Sequence, residues 1–474
     1  MQRDSTHIAV APSGVSRRRL SASTDGLRER VVRLAGGRAS SRDVIRHALI
    51  LATGSGAAKA IGVASVPVIT RLYTPEQFGL FALFLSCVAL LTPFASLRYS
   101  AALPLPKRDQ GAVALLMACM LFLGLFIALL AVLIALFSGE LLGLVSAQAL
   151  VPLWPLLLAS VATAGLHEIL SSWSVREKHF GLMARADVSQ SLLGAAAKIG
   201  LALGAFQHLG LYVGHIAAQA AASVLLARAA WRSSVDVARG LSFGAVKQVV
   251  RRYAGFPLYR LPSQVLMTIG QQAPLLFVSA TYGSATAGQL GLALVALALP
   301  LTLIGQNAGQ AYYAEIARVG RGEPARIYQV SREVTLRLLA LAVVPTGILM
   351  LGGATLFSLF FGARWHDAGA FAGILAIYLP AQFVANLLSH ALSVLDRQHV
   401  YLRLNALRVV MIVGTFAIAH QLKLSAFETV AAYSAVLSAH YVATSITIFT
   451  IIRRAVATPG EAAGSPDARS ETLQ

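Results

Sequence analysis

The sequence predicts an all-α polytopic membrane protein of about twelve transmembrane helices, and three observations carry that prediction. Hydrophobic residues make up 57% of the 474-residue chain and charged residues only 12%. That is roughly half of the ~25% charged residues that a water-soluble surface needs. The apolar residues fall in repeated runs of about 20, long enough for a helix to cross ~30 Å of hydrocarbon. Loops rich in Lys and Arg then alternate with loops almost without them. A soluble chain of this length would instead divide into domains with separate cores.

The apolar segments lie near 46–70, 78–103, 111–137, 149–173, 186–206, 209–231, 256–281, 286–312, 334–361, 368–394, 402–421 and 428–451. Residues 1–43 are polar and rich in Ser and Arg, without the apolar run of a cleavable signal, and read as a disordered basic cytoplasmic tail. Residues 44–231 then form an N-lobe of helices 1–6, 232–255 a cytoplasmic linker loop, and 256–452 a C-lobe of helices 7–12. A second disordered cytoplasmic tail follows at 453–474.

With an inside N-terminus, the inside loops carry Lys107 and Arg108; Arg176, Lys178 and Arg185; and Arg232, Arg239, Lys247, Arg251 and Arg252. Later inside loops carry Arg318, Arg321, Arg326 and Arg332, then Arg397 and Arg403, and finally Arg453 and Arg454. The outside loops offer only Arg71, Arg364 and Lys423, each near an acid (Glu76, Asp367, Glu428). One missed or invented helix would invert this pattern downstream, so it supports the helix count and places both termini in the cytoplasm. It also accounts for the net charge of +19 without a nucleic-acid partner, because the cations sit between apolar segments and not along one soluble face. Cys87 and Cys119 both lie inside apolar segments, match no metal-ligand spacing, and read as core packing. No cofactor or metal is expected.

A duplication is visible in the turns. Tyr73-Thr-Pro-Glu-Gln-Phe-Gly79 follows the first helix and Tyr282-Gly-Ser-Ala-Thr-Ala-Gly288 the seventh, with Tyr and Gly at the same separation. Two six-helix halves related in parallel would follow, joined by the long basic loop.

The stretches Pro67-Val-Ile-Thr-Arg-Leu-Tyr-Thr-Pro-Glu-Gln-Phe-Gly-Leu-Phe-Ala-Leu83 and Leu97-Arg-Tyr-Ser-Ala-Ala-Leu-Pro-Leu-Pro-Lys107 are the informative ones. They resemble the polysaccharide-transport branch of the multidrug/oligosaccharidyl-lipid/polysaccharide exporter superfamily. The resemblance is close through the first four helices, and its motifs do not say which glycan is carried. It implies two six-helix lobes around a central cavity that opens to each side in turn. It also implies a flippase, not an enzyme, in a bacterial inner membrane. Its cargo would be an undecaprenyl-diphosphate-linked oligosaccharide repeat unit of O-antigen, capsule or exopolysaccharide. Membrane lipids and that lipid-linked oligosaccharide are the implied partners, with the polysaccharide polymerase and glycosyltransferases of the same pathway.

A diphosphate-linked sugar needs cations and hydrogen-bond donors facing a wet cavity, since an unpaired charge in lipid costs several kcal/mol. Lys59, Arg98, Lys198 and Arg260 are the candidate cations. Arg98 and Arg260 also stand close enough to the inner surface to snorkel. Lys59 and Lys198 are deeper, with inter-helix ion pairs as the rival reading: Glu168 is a candidate partner, and Asp187 another for Lys198. Gln271, Gln306, Asn307 and Gln310 are candidate sugar-hydroxyl partners, in company with Gln264, Gln272, His215, Gln219, Gln382, Asn386 and His390. Amides bonding across helices as packing glue is the competing account of each. Glu168 and Glu315 are candidate ion-coupling acids, and Arg71 with Glu76 a candidate outer gate, Arg71 otherwise anchoring the helix end.

Enzyme classes fall away on the motifs. His167-Glu168 begins a zinc-protease pattern, but Ser171 stands where the second His is required. There is no phosphate-binding Gly-x-x-x-x-Gly-Lys-[Ser/Thr] loop and no Asp-x-Asp pair. The alternatives kept open are a lipid II flippase, a small-molecule cation antiporter of the same superfamily, which should favour buried acids over bases, and a non-transporting membrane scaffold.

Overall fold

A computed structural model of the protein describes residues 55–457 apart from 145–147, 205, 302–304 and 321. The tail expected at 1–43, the beginning of the first helix and most of the second tail lie outside the described residues.

The described chain is helical almost throughout. Helix α1 (55–72) is followed after two residues by α2 (Pro75–Ala95). Thr74 starts α2 as a capping box: its hydroxyl accepts the Gln77 N–H while the Gln77 side chain accepts the Thr74 N–H. After a 3₁₀ turn (Tyr99–Ala102) come α3 (Asp109–Leu144), kinked at Phe137, and, past the 3₁₀ turn Gln148–Leu153, α4 (Trp154–Arg176). Helices α5 (Phe180–Leu203) and α6 (Gln207–Arg239) complete the first half. The expected linker loop is in fact structured. Helix α6 runs on to Arg239, and α7 (Phe243–Arg252) is a short amphipathic helix capped by Ser242.

A π-helical turn (Phe256–Arg260) leads into α8 (Leu261–Pro300). Then follow α9 (Gln306–Val319), α10 (Pro324–Phe361), a 3₁₀ turn (Ala363–Trp365), α11 (His366–Ala376), α12 (Leu379–Val394), α13 (Gln398–Gln421) and α14 (Ala426–Ala457). Eight continuous spans among the described residues are long and apolar enough to cross a membrane, and α11 with α12, bent by 53°, makes a ninth. The span Phe256–Leu299 has 44 residues, roughly 66 Å of helix, twice what one crossing needs. It breaks at Gly283, where φ is +84° and only glycine is comfortable, and so supplies the seventh pass and, with α9, the eighth. Adding α1 and the less apolar α5 gives the twelve passes that the sequence predicts.

Each half has its own buried core. One is built on α2, α3, α4 and α6, the other on α8, α11, α12, α13 and α14. The halves meet along α2 and α8, and the repeated turn lies at their crossing. A Cβ on Gly79 would stand 1.8 Å from the Ser284 carbonyl oxygen, and one on Gly288 would stand 2.0 Å from that of Pro75. The two equivalent glycines therefore face each other, and the backbones approach as only glycine allows. The equivalent tyrosines also do equivalent work. The Tyr73 hydroxyl donates to the Lys198 carbonyl of α5 (2.7 Å) and the Tyr282 hydroxyl to the Leu424 carbonyl of the α13–α14 loop (2.8 Å), each pinning its turn to another part of its own half.

The alternate loops gather at opposite ends. Arg176 bonds the Pro106 carbonyl and the Asp109 carboxylate at the basic end. At the other end Arg71 donates to the Leu359 carbonyl (3.3 Å) and Gln207 to the Leu72 carbonyl (2.6 Å).

Candidate functional site

Between the halves lies a cavity of about 560 Å³ with walls from α1, α2, α5, α6 and α8. It adjoins a chamber of about 380 Å³ that extends to Arg98 and Glu168, and Leu85, His215 and Gln272 belong to both walls. The wall of the larger cavity is largely apolar, so its few polar side chains orient whatever enters, whereas the smaller chamber is lined mainly by polar groups such as Arg98, Glu168, Gln219, Gln264 and Gln271.

Arg98 is brought there by backbone geometry. Leu97 and Arg98 adopt left-handed conformations (φ +48° and +61°), which stop α2 and turn the side chain into the smaller chamber. For non-glycine residues this costs about 1 kcal/mol or more each, strain that clusters at functional sites. The guanidinium meets Glu168 at 2.9 Å, and Ser100 donates to the same carboxylate oxygen at 2.6 Å. The Arg98 Nε is buried without a partner, while one terminal N–H is spent on Glu168 and others of the guanidinium remain to donate. Glu168 is thus the partner of Arg98, not of Lys59 or Lys198.

Lys198 lines the larger cavity with its ammonium 5.2 Å from the centre of the Phe81 ring. Among the described residues it has no carboxylate partner, and a cation–π contact of this kind stabilises by about 0.5–2 kcal/mol. Asp187, the carboxylate considered for it, instead accepts from the Ser55 hydroxyl (2.7 Å). Glycine makes room for the lysine: a Cβ on Gly214 of α6 would stand 2.6 Å from the Lys198 Cγ. His215, one residue on, has its Nε2 buried without a partner where the two chambers join.

Lys59 and Arg260 sit at the basic-end approach to these chambers. Lys59 is exposed on α1 seven residues before Val66, hence on the stripe that lines the cavity. Arg260 is exposed, 5.6 Å over the Phe256 ring, and stands four residues before Gln264 of the smaller chamber. Gln271 lines that chamber too. Gln310 is exposed on α9, and the side chains of Gln306 and Asn307 lie outside what is described. Glu315 pairs with Arg318 within α9 at 2.9 Å and takes no part in the walls of either chamber.

At the end opposite the basic loops the two halves are joined through Trp365. Trp365 is fully buried and donates its indole N–H to the Thr70 carbonyl of α1 (2.8 Å), while its ring meets Phe78 edge-on at 5.4 Å. Gln289 of α8 steadies the turn that carries Trp365: it donates to the Arg364 carbonyl (2.7 Å) and accepts from the Ala368 N–H (2.9 Å). At the same end Arg71 donates to the Leu359 carbonyl, so the two residues named for an outer gate do not pair: Glu76 is exposed in the first turn of α2.

Sequence reasoning missed Gln190 and Ser191, which line the cavity with Lys198. Their signal was present: residues 190, 191, 194, 195 and 198 share one helical face, and the lysine already marked it. Trp365 carried no such signal, because its partners are distant in sequence.

A profile of a family described as "Polysaccharide biosynthesis protein" matches residues 68–370. Among curated proteins, no sequence matches this chain. Among solved structures, the lipid II flippase MurJ in an inward closed conformation is similar with a TM-score of 0.66 at 11% identity, over 87% of this chain and 91% of that one. A multidrug resistance MATE family transporter of the MOP superfamily, inward-facing, is similar with a TM-score of 0.58 at 15% identity, over 87% and 96%. So is a MOP superfamily transporter from Pyrococcus furiosus, at 0.51 and 16%, over 87% and 96%. At these identities the likeness is one of fold.

Proposed function

We propose, from the premise that this chain belongs to the polysaccharide biosynthesis protein family, that it flips an undecaprenyl-diphosphate-linked oligosaccharide repeat unit across the bacterial inner membrane by alternating access. The observation that carries the proposal is the cation-lined cavity between the halves. Lys198 in the largely apolar larger chamber and Arg98 in the more polar smaller one offer N–H donors to an anionic head group. Lys59 and Arg260 at the basic-end approach draw that group in, and Gln271, with the amides beside it, bonds sugar hydroxyls.

The basic loops stand on the cytoplasmic side, so both termini are cytoplasmic and the Trp365 end is periplasmic. Glu168 holds Arg98 in the empty state and releases it to the cargo. Protonation of that carboxylate is one way to couple transport to a proton gradient. Arg71 works with Trp365 to close the outer end. The polymerase and glycosyltransferases of the pathway are the working partners.

A lipid II flippase is the second reading, favoured by the MurJ-like fold, whereas the polysaccharide family match favours a surface glycan. A cation antiporter is disfavoured because the membrane-embedded groups facing the chambers are mainly basic.

Lipid analysis of a deletion strain is the test. A diphosphate-linked repeat unit should accumulate in the inner leaflet while surface polysaccharide is lost, whereas accumulation of lipid II with cell lysis would select the second reading. Complementation with Lys198→Ala or Lys59→Ala at normal protein level should lower export at least tenfold. Full export with either variant removes that lysine from the cargo path.

A further inference from the structure

A groove of about 520 Å³ lies outside both chambers, on the seam between the halves at the end opposite the basic loops. Its walls are Pro67, Val68, Arg71 and Leu72 of α1 and Leu359 and Phe360 of α10. Val68 and Arg71 follow the cavity-lining Val66 and Ile69 by two positions, about 200° round a helix. The groove therefore opens on the face of α1 that points away from the central cavity, toward the bilayer.

Arg71 stands one residue before the end of α1, and Leu359 two residues before the end of α10, so the groove lies at headgroup depth. Below it, Leu359, Thr355, Leu351 and Ile348 are all exposed and follow one another at helical spacing. That track descends about 16 Å, close to half of the ~30 Å hydrocarbon thickness. Val68 extends the apolar wall on the α1 side and is also exposed.

The guanidinium is the polar feature of this groove. One of its N–H groups crosses the seam to the Leu359 carbonyl (3.3 Å), which holds it over the groove where a merely snorkelling side chain would swing free. The others remain to donate. Among the described residues no carboxylate pairs with Arg71 and no acid lines the groove.

The geometry points to a seat for one anionic phospholipid of the leaflet opposite the basic loops. Its phosphate accepts from the Arg71 guanidinium, and one acyl chain follows Val68 and the exposed track of α10. With no acid in the walls to receive an ammonium, a net-anionic headgroup is preferred to a zwitterionic one. The bound lipid bridges α1 and α10 and reinforces the tie between the halves that Trp365 makes. The site is independent of which cargo is carried, because the central cavity lies on the opposite face of α1.

The test is native mass spectrometry of the purified full-length protein in detergent, titrated with phosphatidylglycerol or with phosphatidylcholine of the same acyl chains. The native protein should hold one phosphatidylglycerol at concentrations severalfold below those at which phosphatidylcholine binds. Arg71→Gln should lose that molecule, whereas Arg71→Lys should bind it more weakly and keep the anionic preference. Val68→Trp, which fills the groove and leaves the guanidinium in place, should weaken binding severalfold. Lys198→Ala should leave it intact, which separates this site from the cargo path. Arg252→Gln controls for lipid held by the basic loops: a tightly bound phosphatidylglycerol lost there but kept in Arg71→Gln overturns the proposal. Absence of any anionic preference in the native protein overturns it as well. Should Arg71→Gln fail to fold, Arg71→Lys and Val68→Trp carry the comparison, and unchanged binding in both counts against the site. Undecaprenyl phosphate bound in place of phosphatidylglycerol, and lost in Arg71→Gln, would also overturn it and assign the groove to a prenyl lipid.

Discussion

Arg98 and Glu168 show how one ion pair in a membrane protein serves both stability and chemistry. Their side chains keep 21% and 27% of their exposure, so the pair is neither a free surface bridge nor a sealed one. Arg98→Gln leaves the half-buried carboxylate without its cation. It should cost roughly 1–3 kcal/mol, below the ~3–5 of a fully buried pair because water still reaches both groups. Glu168→Gln added to it should recover part of that loss, and a double-mutant cycle on the unfolding midpoint measures the coupling. Additive losses would mean that the two groups do not stabilise one another. The residue types were legible in the sequence: a cation and an acid in apolar segments, 70 positions apart. Their pairing was not, because nothing local says that the 3₁₀ turn after α2 touches α4. The left-handed backbone that aims Arg98 was equally hidden, since Leu97 and Arg98 are not residues that announce positive φ.

At the scale of helices, Gly79 and Gly288 decide how closely α2 and α8 cross. Gly79→Ala places a methyl group against the Ser284 carbonyl oxygen, a backbone atom that cannot rotate away. The cost should exceed the ~1–3 kcal/mol usual for overpacking, read as a sharp drop in folded yield and unfolding midpoint. Gly414→Ala is the control, because a Cβ there meets nothing within 4 Å and should gain up to about 1 kcal/mol of helix propensity. Equal effects at the two positions would contradict the close crossing. Here the sequence said more than it first showed: the matched Tyr and Gly spacing was the imprint of a shared role. Helix α7 went unread for a different reason. Its Val246, Val249, Val250 and Tyr253 follow helical spacing behind Ser242, but ten residues among so many cations look like loop until α3 is seen beneath them.

At the scale of the molecule, Trp365 ties the two halves together at the end opposite the basic loops. Opening the cavity at that end requires the indole to leave the Thr70 carbonyl and the Phe78 ring. Trp365→Phe removes the N–H donor, worth about 1 kcal/mol, together with part of the ring packing, and Trp365→Ala removes the packing altogether. A cysteine at Ser65 in the cavity wall, with Cys87 and Cys119 replaced by Ala, reports on access. Its labelling by an impermeant maleimide from outside should rise modestly in Trp365→Phe and severalfold in Trp365→Ala. Unchanged labelling in both would place the barrier elsewhere.

The number of passes and the division into halves were determined by the sequence alone. Both rest on one-dimensional quantities: the length of apolar runs against the thickness of a bilayer, the sign of charge from loop to loop, and a repeated turn. The candidate cations were legible for the same reason, because a charge inside an apolar run is conspicuous wherever it occurs. Only the tertiary structure decided which of them face a cavity, which are paired, and where the two halves are joined. Those properties depend on which helix faces touch. Helices in a bilayer are chosen as neighbours by close packing and hydrogen bonds between distant residues, not by a hydrophobic stripe that the sequence displays.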